Sequence, residues 1–195
     1  MKAITYARYG PPDVLSVETV EAPVPRANEV RIRVRATEVT KADCELRSFR
    51  FPVKWFWLPL RLALGVTRPR RRILGGYFAG VVESCGASVT CFKPGDEVYG
   101  SAGLRMGAYA ELVCLPENAA IAPKPRSMSF VEAAAVPLGG LNALHFMRRA
   151  ALRSGENVLI NGAGGSIGLH AVQIAKSAGA VVTVVDGAHK RELLR

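Results

Sequence analysis

The sequence predicts an α/β chain in two parts: a small, mostly antiparallel β barrel or partly open sheet over residues 1–126, then an incomplete parallel β-α-β unit over residues 127–195. Three observations carry this expectation. Short β-branched runs with period-two alternation fill the first part. A Ser-x-x-Glu signature at Ser129 and Glu132 opens a helical pattern. A strand, a glycine turn, a helix and a second strand follow one another through "NVLINGAGGSIGLHAVQIAKSAGAVVTVVDG", residues 157–187.

The elements of the first part follow in order. "KAITYARYG", "LSVETVEAP" and "EVRIRVRATEV" are strand-like runs separated by Pro, Gly and Asn. In the third, Val30, Ile32 and Val34 fall on one face and Arg31, Arg33 and Arg35 on the other, so one face is buried and the other meets water. Further strands are expected at "AGVVESCG", "DEVYGS" and "AYAELVCLP", with "KPGDEV" as a Pro-Gly turn. In the second part, Ser129 and Glu132 satisfy each other's backbone donors and start a helix. Pro137 is expected to interrupt it, and Leu138 to Ala151 resumes a helical pattern up to Gly155. "ENVLIN" and "AVVTVVD" read as buried strands. The helix between them turns Ile167, Ala171, Ile174 and Ala178 to one side.

The glycine turn sits where a diphosphate can bind. The first turn of a helix leaves backbone N–H groups unpaired, and the helix dipole favours negative charge there. In "GAGGSIG" a G-x-G-x-x-G pattern is met with Ala163 in first place, then Gly165 and Gly168, preceded by Gly162. Gly165 lets the backbone approach a pyrophosphate, Gly168 lets the helix pack on the strand, and Ser166 and Ile167 begin the helix. Such a turn also occurs as a plain tight bend in many α/β proteins, so the flanking strands and helix carry the reading. Asp186, eighteen positions after Gly168, stands where an acid accepts hydrogen bonds from a ribose. His189, Lys190 and Arg191 follow it and suit a 2′-phosphate. Acid and bases argue in opposite directions, which leaves NAD(P) undivided with a lean to NAD.

Composition narrows the remaining classes. The net charge of +10 is local: residues 47–72 hold eight Lys or Arg and no acid, and the rest of the chain carries 18 basic against 16 acidic residues. A nucleic-acid surface is therefore not expected. The same segment contains "FPVKWFWLPLRLALGV", too short and too broken by charge and proline to span a bilayer. It suits a loop or helix over an apolar pocket, with membrane-surface contact through residues 51–72 as the alternative. Cys44, Cys85, Cys91 and Cys114 show neither ligand spacing nor a disulfide framework, and read as reduced, mostly buried thiols of a cytoplasmic protein. The N-terminus shows no apolar run of a secretory signal.

Several stretches together, "MKAITYARYGPPDVLSVETVEAPVP", "RILGGYFAGVVESCGASVTCFKPGDEVYGS", "GAYAELVCLPENAAIAPKP" and "AAAVPLGGLNALHF", resemble the medium-chain dehydrogenase/reductase superfamily and, within it, the zinc-free quinone oxidoreductase branch. The resemblance implies a GroES-like catalytic domain over 1–126 and the N-terminal part of an NAD(P)-binding Rossmann domain over 127–195. Where zinc-dependent members place metal ligands, this chain has Thr40 and the Gly75–Tyr77 stretch, and neither Thr40 nor Gly76 supplies a thiolate or imidazole. No metal is expected. The resemblance implies that Thr40, Asp43 and Arg47 line the substrate cleft, although Asp43 equally suits a helix cap and Arg47 a solvated position. It also implies that Leu138 to Asn142 border the nicotinamide. Tyr77, Tyr99 and His145 receive no role.

Relative to that family the chain supplies two strands of the nucleotide domain and the opening of the next helix, "HKRELLR". The expected reaction is hydride transfer to or from a quinone, activated alkene or alcohol/carbonyl substrate, with a homodimer at full length. Two alternatives stand beside it: a nucleotide-binding remnant without turnover, and a basic membrane-surface module formed by residues 46–82.

Overall fold

The computed structural model describes residues 1–52, 55 and 57–194; Val53, Lys54 and Phe56 of the basic aromatic segment lie outside the described residues. The chain divides into two compact units, Met1–Ala135 and Val136–Arg195.

In the first unit, β1 (Lys2–Tyr6) and β2 (Leu15–Thr19) form an antiparallel pair. A five-stranded antiparallel sheet follows from β3 (Glu29–Thr37), β4 (Tyr77–Cys85), β5 (Glu97–Ser101), β6 (Leu112–Pro116) and β7 (Ile121–Pro123), in the order β6-β3-β4-β5-β7. Bridges Ala3–Ala110 and Thr5–Ile73 join the pair to the rest of the unit. Of the two forms expected, a barrel or a partly open sheet, the strand pairing among the described residues gives the open one. The alternation in β3 acts as its sequence requires. Val30 and Ile32 are fully buried beside Phe78, Val82, Val98 and Leu115. On the other face Arg31 pairs with Glu83 of β4 at 2.7 Å, and Arg33 bonds the same carboxylate. The Pro-Gly turn forms with Gly95 at φ 94°, and the Asp96 amide donates to the Lys93 carbonyl at 3.2 Å. Three residues long, β7 carries too little periodicity to be legible in the sequence.

Two helices complete this unit, α1 (Lys41–Ser48) and α2 (Trp57–Leu64). The second is the helix form expected of the aromatic segment.

α3 (Phe130–Arg149) starts where the capping box places it: the Ser129 amide and hydroxyl both donate to Glu132 at 2.8 Å. Pro137 does not interrupt it, which corrects the expectation. A proline removes a single i→i−4 bond, and apolar packing on either side outweighs that loss here. Ala133 and Ala134 pack with Ala79 on the N-terminal side, and Ala143 joins the core of the second unit on the other. By length and composition α3 is also apolar enough to cross a bilayer, but these buried alanines belong to protein cores.

The second unit is the β-α-β arrangement the sequence describes. β8 (Asn157–Asn161) and β9 (Val181–Val185) run parallel, joined by α4 (Ser166–Ser177). Gly139 lets α3 meet α4, since a Cβ there would collide with His170. Three details differ from expectation. The strands are not buried on both faces: Ile160 is 8% exposed, whereas Leu159 is 67% exposed, because α4 covers one side only. The inward side of α4 is Gly168, Ala171 and Ala175, since small residues permit the closest approach to the strands; Ile167 is 40% exposed. The last segment forms a 3-10 turn at Ala188–Lys190 rather than the opening of an α-helix.

The cysteines also differ. All four are free, Cys91 is exposed, and Cys44, Cys85 and Cys114 are half-buried.

Candidate functional site

α1 carries the residues expected to line a substrate cleft, and its start explains two of them. Thr40 is the N-cap. Its side chain accepts the Asp43 amide at 3.2 Å, and its own amide donates to Asp43 Oδ2 at 3.0 Å. The Thr40 hydroxyl donates to the same oxygen at 2.6 Å, and the Gly75 amide donates to Oδ1 at 3.2 Å. Thr40 and Asp43 are buried, and their polar atoms serve each other and the Gly75 turn. That is the capping reading of Asp43, with an added tie across 32 residues. Gly75 itself stands at φ 96°, where a Cβ would meet the Tyr109 backbone.

A cavity of about 160 Å³ opens beside them, lined by Ile4, Leu15, Thr37, Val39, Asp43, Cys44, Arg47, Leu74 and Tyr109. Arg47 is partly committed, since its Nε donates to the Gly10 carbonyl at 3.2 Å while the Gly10 amide donates back to the Arg47 carbonyl at 3.0 Å. Thr40 does not line the cavity. Tyr109 does, and the sequence reading missed it. Burial pushes its phenol well above the ordinary tyrosine range and the Asp43 charge adds to the effect, so it is a neutral donor at any physiological pH. Its hydroxyl lies 3.4 Å from the Glu38 carbonyl. Nearby, Tyr6 is pushed up to about 12, by burial first and then by Tyr9 and Asp43. Only the fold, which brings the 109 region beside β1 and the Gly75 turn, reveals Tyr109.

Among the described residues no three His, Cys, Asp or Glu side chains gather as a metal-ligand group.

In the second unit the glycine turn joins β8 to α4. Gly162 adopts φ 78°, and its amide and that of Ala163 both donate to the Val185 carbonyl, at 2.8 and 3.2 Å. This fixes the turn against the end of β9. Gly168 is tightly enclosed: a Cβ there would lie 2.6 Å from Ala163 Cα. Gly165 is less enclosed: the nearest atom to an added Cβ is the Gly162 carbonyl oxygen, a tight contact at 3.3 Å. Gly165 is the N-cap of α4 and no side chain caps the helix, so the first-turn amides beginning at Ser166 and Ile167 are left to an external acceptor. An uncapped helix start at Gly165, with Gly168 packed against the turn, fits a pyrophosphate cradle.

Asp186 and Lys190 lie against this turn. Asp186 Oδ2 accepts the Gly164 amide at 2.7 Å and Oδ1 accepts the Gly187 amide at 2.7 Å, while Lys190 Nζ stands 3.2 Å from Oδ1. The two amides, then Lys190, hold the carboxyl below the ordinary aspartate range. Asn142, expected near a nicotinamide, donates to the Leu138 carbonyl at 2.8 Å within α3.

The profile of the alcohol dehydrogenase GroES-like domain matches residues 26–126. The quinone oxidoreductase of Pseudomonas aeruginosa is 36% identical over the whole of this chain, which spans 55% of that protein. The chain belongs to the medium-chain dehydrogenase/reductase superfamily, in its quinone oxidoreductase-like branch. Its backbone follows the same family in solved structures. A Coxiella burnetii quinone oxidoreductase superposes with a TM-score of 0.84 at 32% identity, covering 100% of this chain and 59% of that one. The Escherichia coli quinone oxidoreductase complexed with NADPH gives 0.78 at 27% identity, covering 98% and 55%. The chain therefore spans little more than half the length of the relatives it matches.

Proposed function

We propose that this chain is the catalytic part, residues 1–126, and the opening of the nucleotide-binding part, residues 127–195, of a zinc-independent NAD(P)(H)-dependent oxidoreductase of the cytoplasm. Its substrate is a quinone, an activated alkene or a related carbonyl compound. The observation that carries this is the uncapped start of α4 at Gly165, with Gly168 packed against the turn.

When bound, the nicotinamide supplies or accepts the hydride. The residues of the chain do the rest. Gly162, Ala163, Gly165, Ser166, Ile167 and Gly168 present bare backbone to the pyrophosphate, and Asp186 with Lys190 bounds the ribose side. Asn142 borders the nicotinamide. In the first unit the apolar walls around Ile4, Leu15 and Leu74 exclude water. Arg47 keeps its terminal guanidinium nitrogens available to a substrate oxygen, and Tyr109 holds its proton at Oη as a hydrogen-bond donor to a developing enolate. Thr40 and Asp43 position α1 and the Gly75 turn. Zinc has no part in this, since the slots at Thr40 and Gly76 offer no soft ligand. A chain of the relatives' length is expected to pair as a homodimer.

Titration with NADH and NADPH, followed by amide resonances, tests the reading: signals from Ala163 to Gly168 shift at millimolar nucleotide, and silence there in folded protein sinks it. Binding without reduction of 1,4-naphthoquinone favours the nucleotide-binding reading without turnover.

A second reading has its own support. Leu58, at 60% exposed, and Leu62, at 56%, stand one turn apart on the outer side of α2, and the exposed Arg68 and Arg70 follow in sequence, which suits an anionic membrane surface. Co-sedimentation with anionic vesicles that vanishes at high salt favours it; sedimentation independent of lipid charge removes it.

A further inference from the structure

A second cavity of the first unit, about 890 Å³, shares Cys44 and Arg47 with the apolar cavity but has a different character. One wall is aromatic, made by Tyr9, Phe49 and Trp57. The cations on its lining are Lys41, Arg47, Arg50 and Arg61, and the single acid there, Glu45, is paired with Lys41 at 3.7 Å.

Arg61 is the centre of the arrangement. It sits on α2, whose Leu58 and Leu62 face outward while the guanidinium turns inward. Its carbon lies 4.1 Å from the Phe49 ring centre, 4.6 Å from Tyr9 and 5.5 Å from Trp57. Ring faces attract the charge of a guanidinium but leave its in-plane N–H donors unsatisfied. The Nη1 atom is shut off from solvent and has no hydrogen-bond partner among the described residues, while the guanidinium as a whole lies against the Tyr9 side chain. The Tyr9 hydroxyl is directed to the Leu64 and Gly65 carbonyls, at 3.0 and 3.1 Å. Phe49 is the C-cap of α1 with a left-handed backbone, φ 53°, and its ring belongs to this cluster. A helix turned with its arginine inward and an excess of cations on one cavity together call for an acceptor that carries negative charge.

We propose that this cavity binds an anionic group, a carboxylate or phosphate, borne on an aromatic or aliphatic body. The anion lies against Arg61 and Arg50, and the apolar body lies on the Tyr9, Phe49 and Trp57 wall. The inference goes beyond the oxidoreductase reading and requires no nicotinamide nucleotide.

The test uses 2-naphthoate and its neutral analogue 2-naphthalenemethanol, followed by Trp57 fluorescence in a Trp55→Phe background, because the chain has only these two tryptophans. The carboxylate binds about tenfold or more tightly than the alcohol, with the advantage shrinking as salt is added. Arg61→Gln and Arg50→Gln each reduce that preference while affinity for the alcohol is kept. Equal affinity for the two probes, or an undiminished preference in both variants, overturns the proposal. Should Arg61→Gln fail to fold, Arg50→Gln decides, since Arg50 is exposed. Competition of naphthoate by phosphatidylglycerol vesicles but not by phosphatidylcholine vesicles identifies a lipid headgroup as the anion's source; competition by soluble decanoate alone identifies a free acid. The absence of nucleotide from every arm separates failure here from failure of the proposed function.

Discussion

Asp186 and Lys190, one helical turn apart in sequence, form an ion pair at 3.2 Å beside the glycine turn. The acid that would accept from a ribose hydroxyl and the lysine that would donate to a 2′-phosphate are thus each other's partners. Selectivity between the two nucleotides then depends on which of them the ligand draws away. Lys190→Gln is expected to weaken NADPH binding about tenfold and leave NADH nearly unchanged. Asp186→Asn should favour NADPH over NADH. Calorimetric titration of both nucleotides against both variants checks the pair.

The two critical glycines of the turn should separate by stability. Gly165→Ala has an extended backbone and a single tight contact, 3.3 Å from its Cβ to the Gly162 carbonyl oxygen, so it should cost less stability than Gly168→Ala while nucleotide affinity falls about tenfold. Gly168→Ala drives a methyl group into the Ala163 backbone and should lower stability by about 1–3 kcal/mol. Thermal unfolding beside nucleotide titration distinguishes the two effects.

Asp43 is expected to matter for folding before it matters for chemistry. Asp43→Ala strands the Thr40 and Gly75 amides in the interior and should destabilise by about 2–4 kcal/mol, whereas Thr40→Ser keeps the cap and should be nearly neutral. Urea midpoints give the answer. Unchanged stability in Asp43→Ala would overturn the capping role.

Tyr109→Phe removes a hydroxyl whose internal bond is long, 3.4 Å, so stability should fall by less than about 1 kcal/mol. In a chain of full family length, kcat/KM for a quinone should drop about tenfold. Because burial keeps the phenol protonated, the wild-type profile should show no loss from this group up to about pH 10.

Glu29 supplies a pH dependence. Burial pushes its carboxyl up, but the Arg105 guanidinium at 2.7 Å and the Arg26 amide outweigh this and hold it below the ordinary glutamate range. A depressed acid contributes stability above its unfolded pKa, about 4.3, and that contribution is lost as pH falls through the lower folded value. Stability should therefore decline below about pH 4. Arg105→Ala should weaken this slope and cost about 1–2 kcal/mol at neutral pH, measurable by denaturation at pH 3 and pH 7.

Local periodicity determined a good deal of this protein. The two-residue alternation of β3, the Ser129 and Glu132 box, the Pro-Gly turn before β5 and the strand-turn-helix-strand succession all depend on neighbours in sequence, and each was legible there. So was the glycine turn, because bare backbone is a property of the residues themselves. Tertiary structure decided whatever depends on distant partners: the continuity of α3 through Pro137, the one-sided burial of β8 and β9, and the commitment of Asp43 to Gly75. It also placed Tyr109 on the apolar cavity and turned Arg61 inward onto Phe49. The energy that settles these comes from burial and pairing between residues tens of positions apart, and no sequence spacing encodes such contacts.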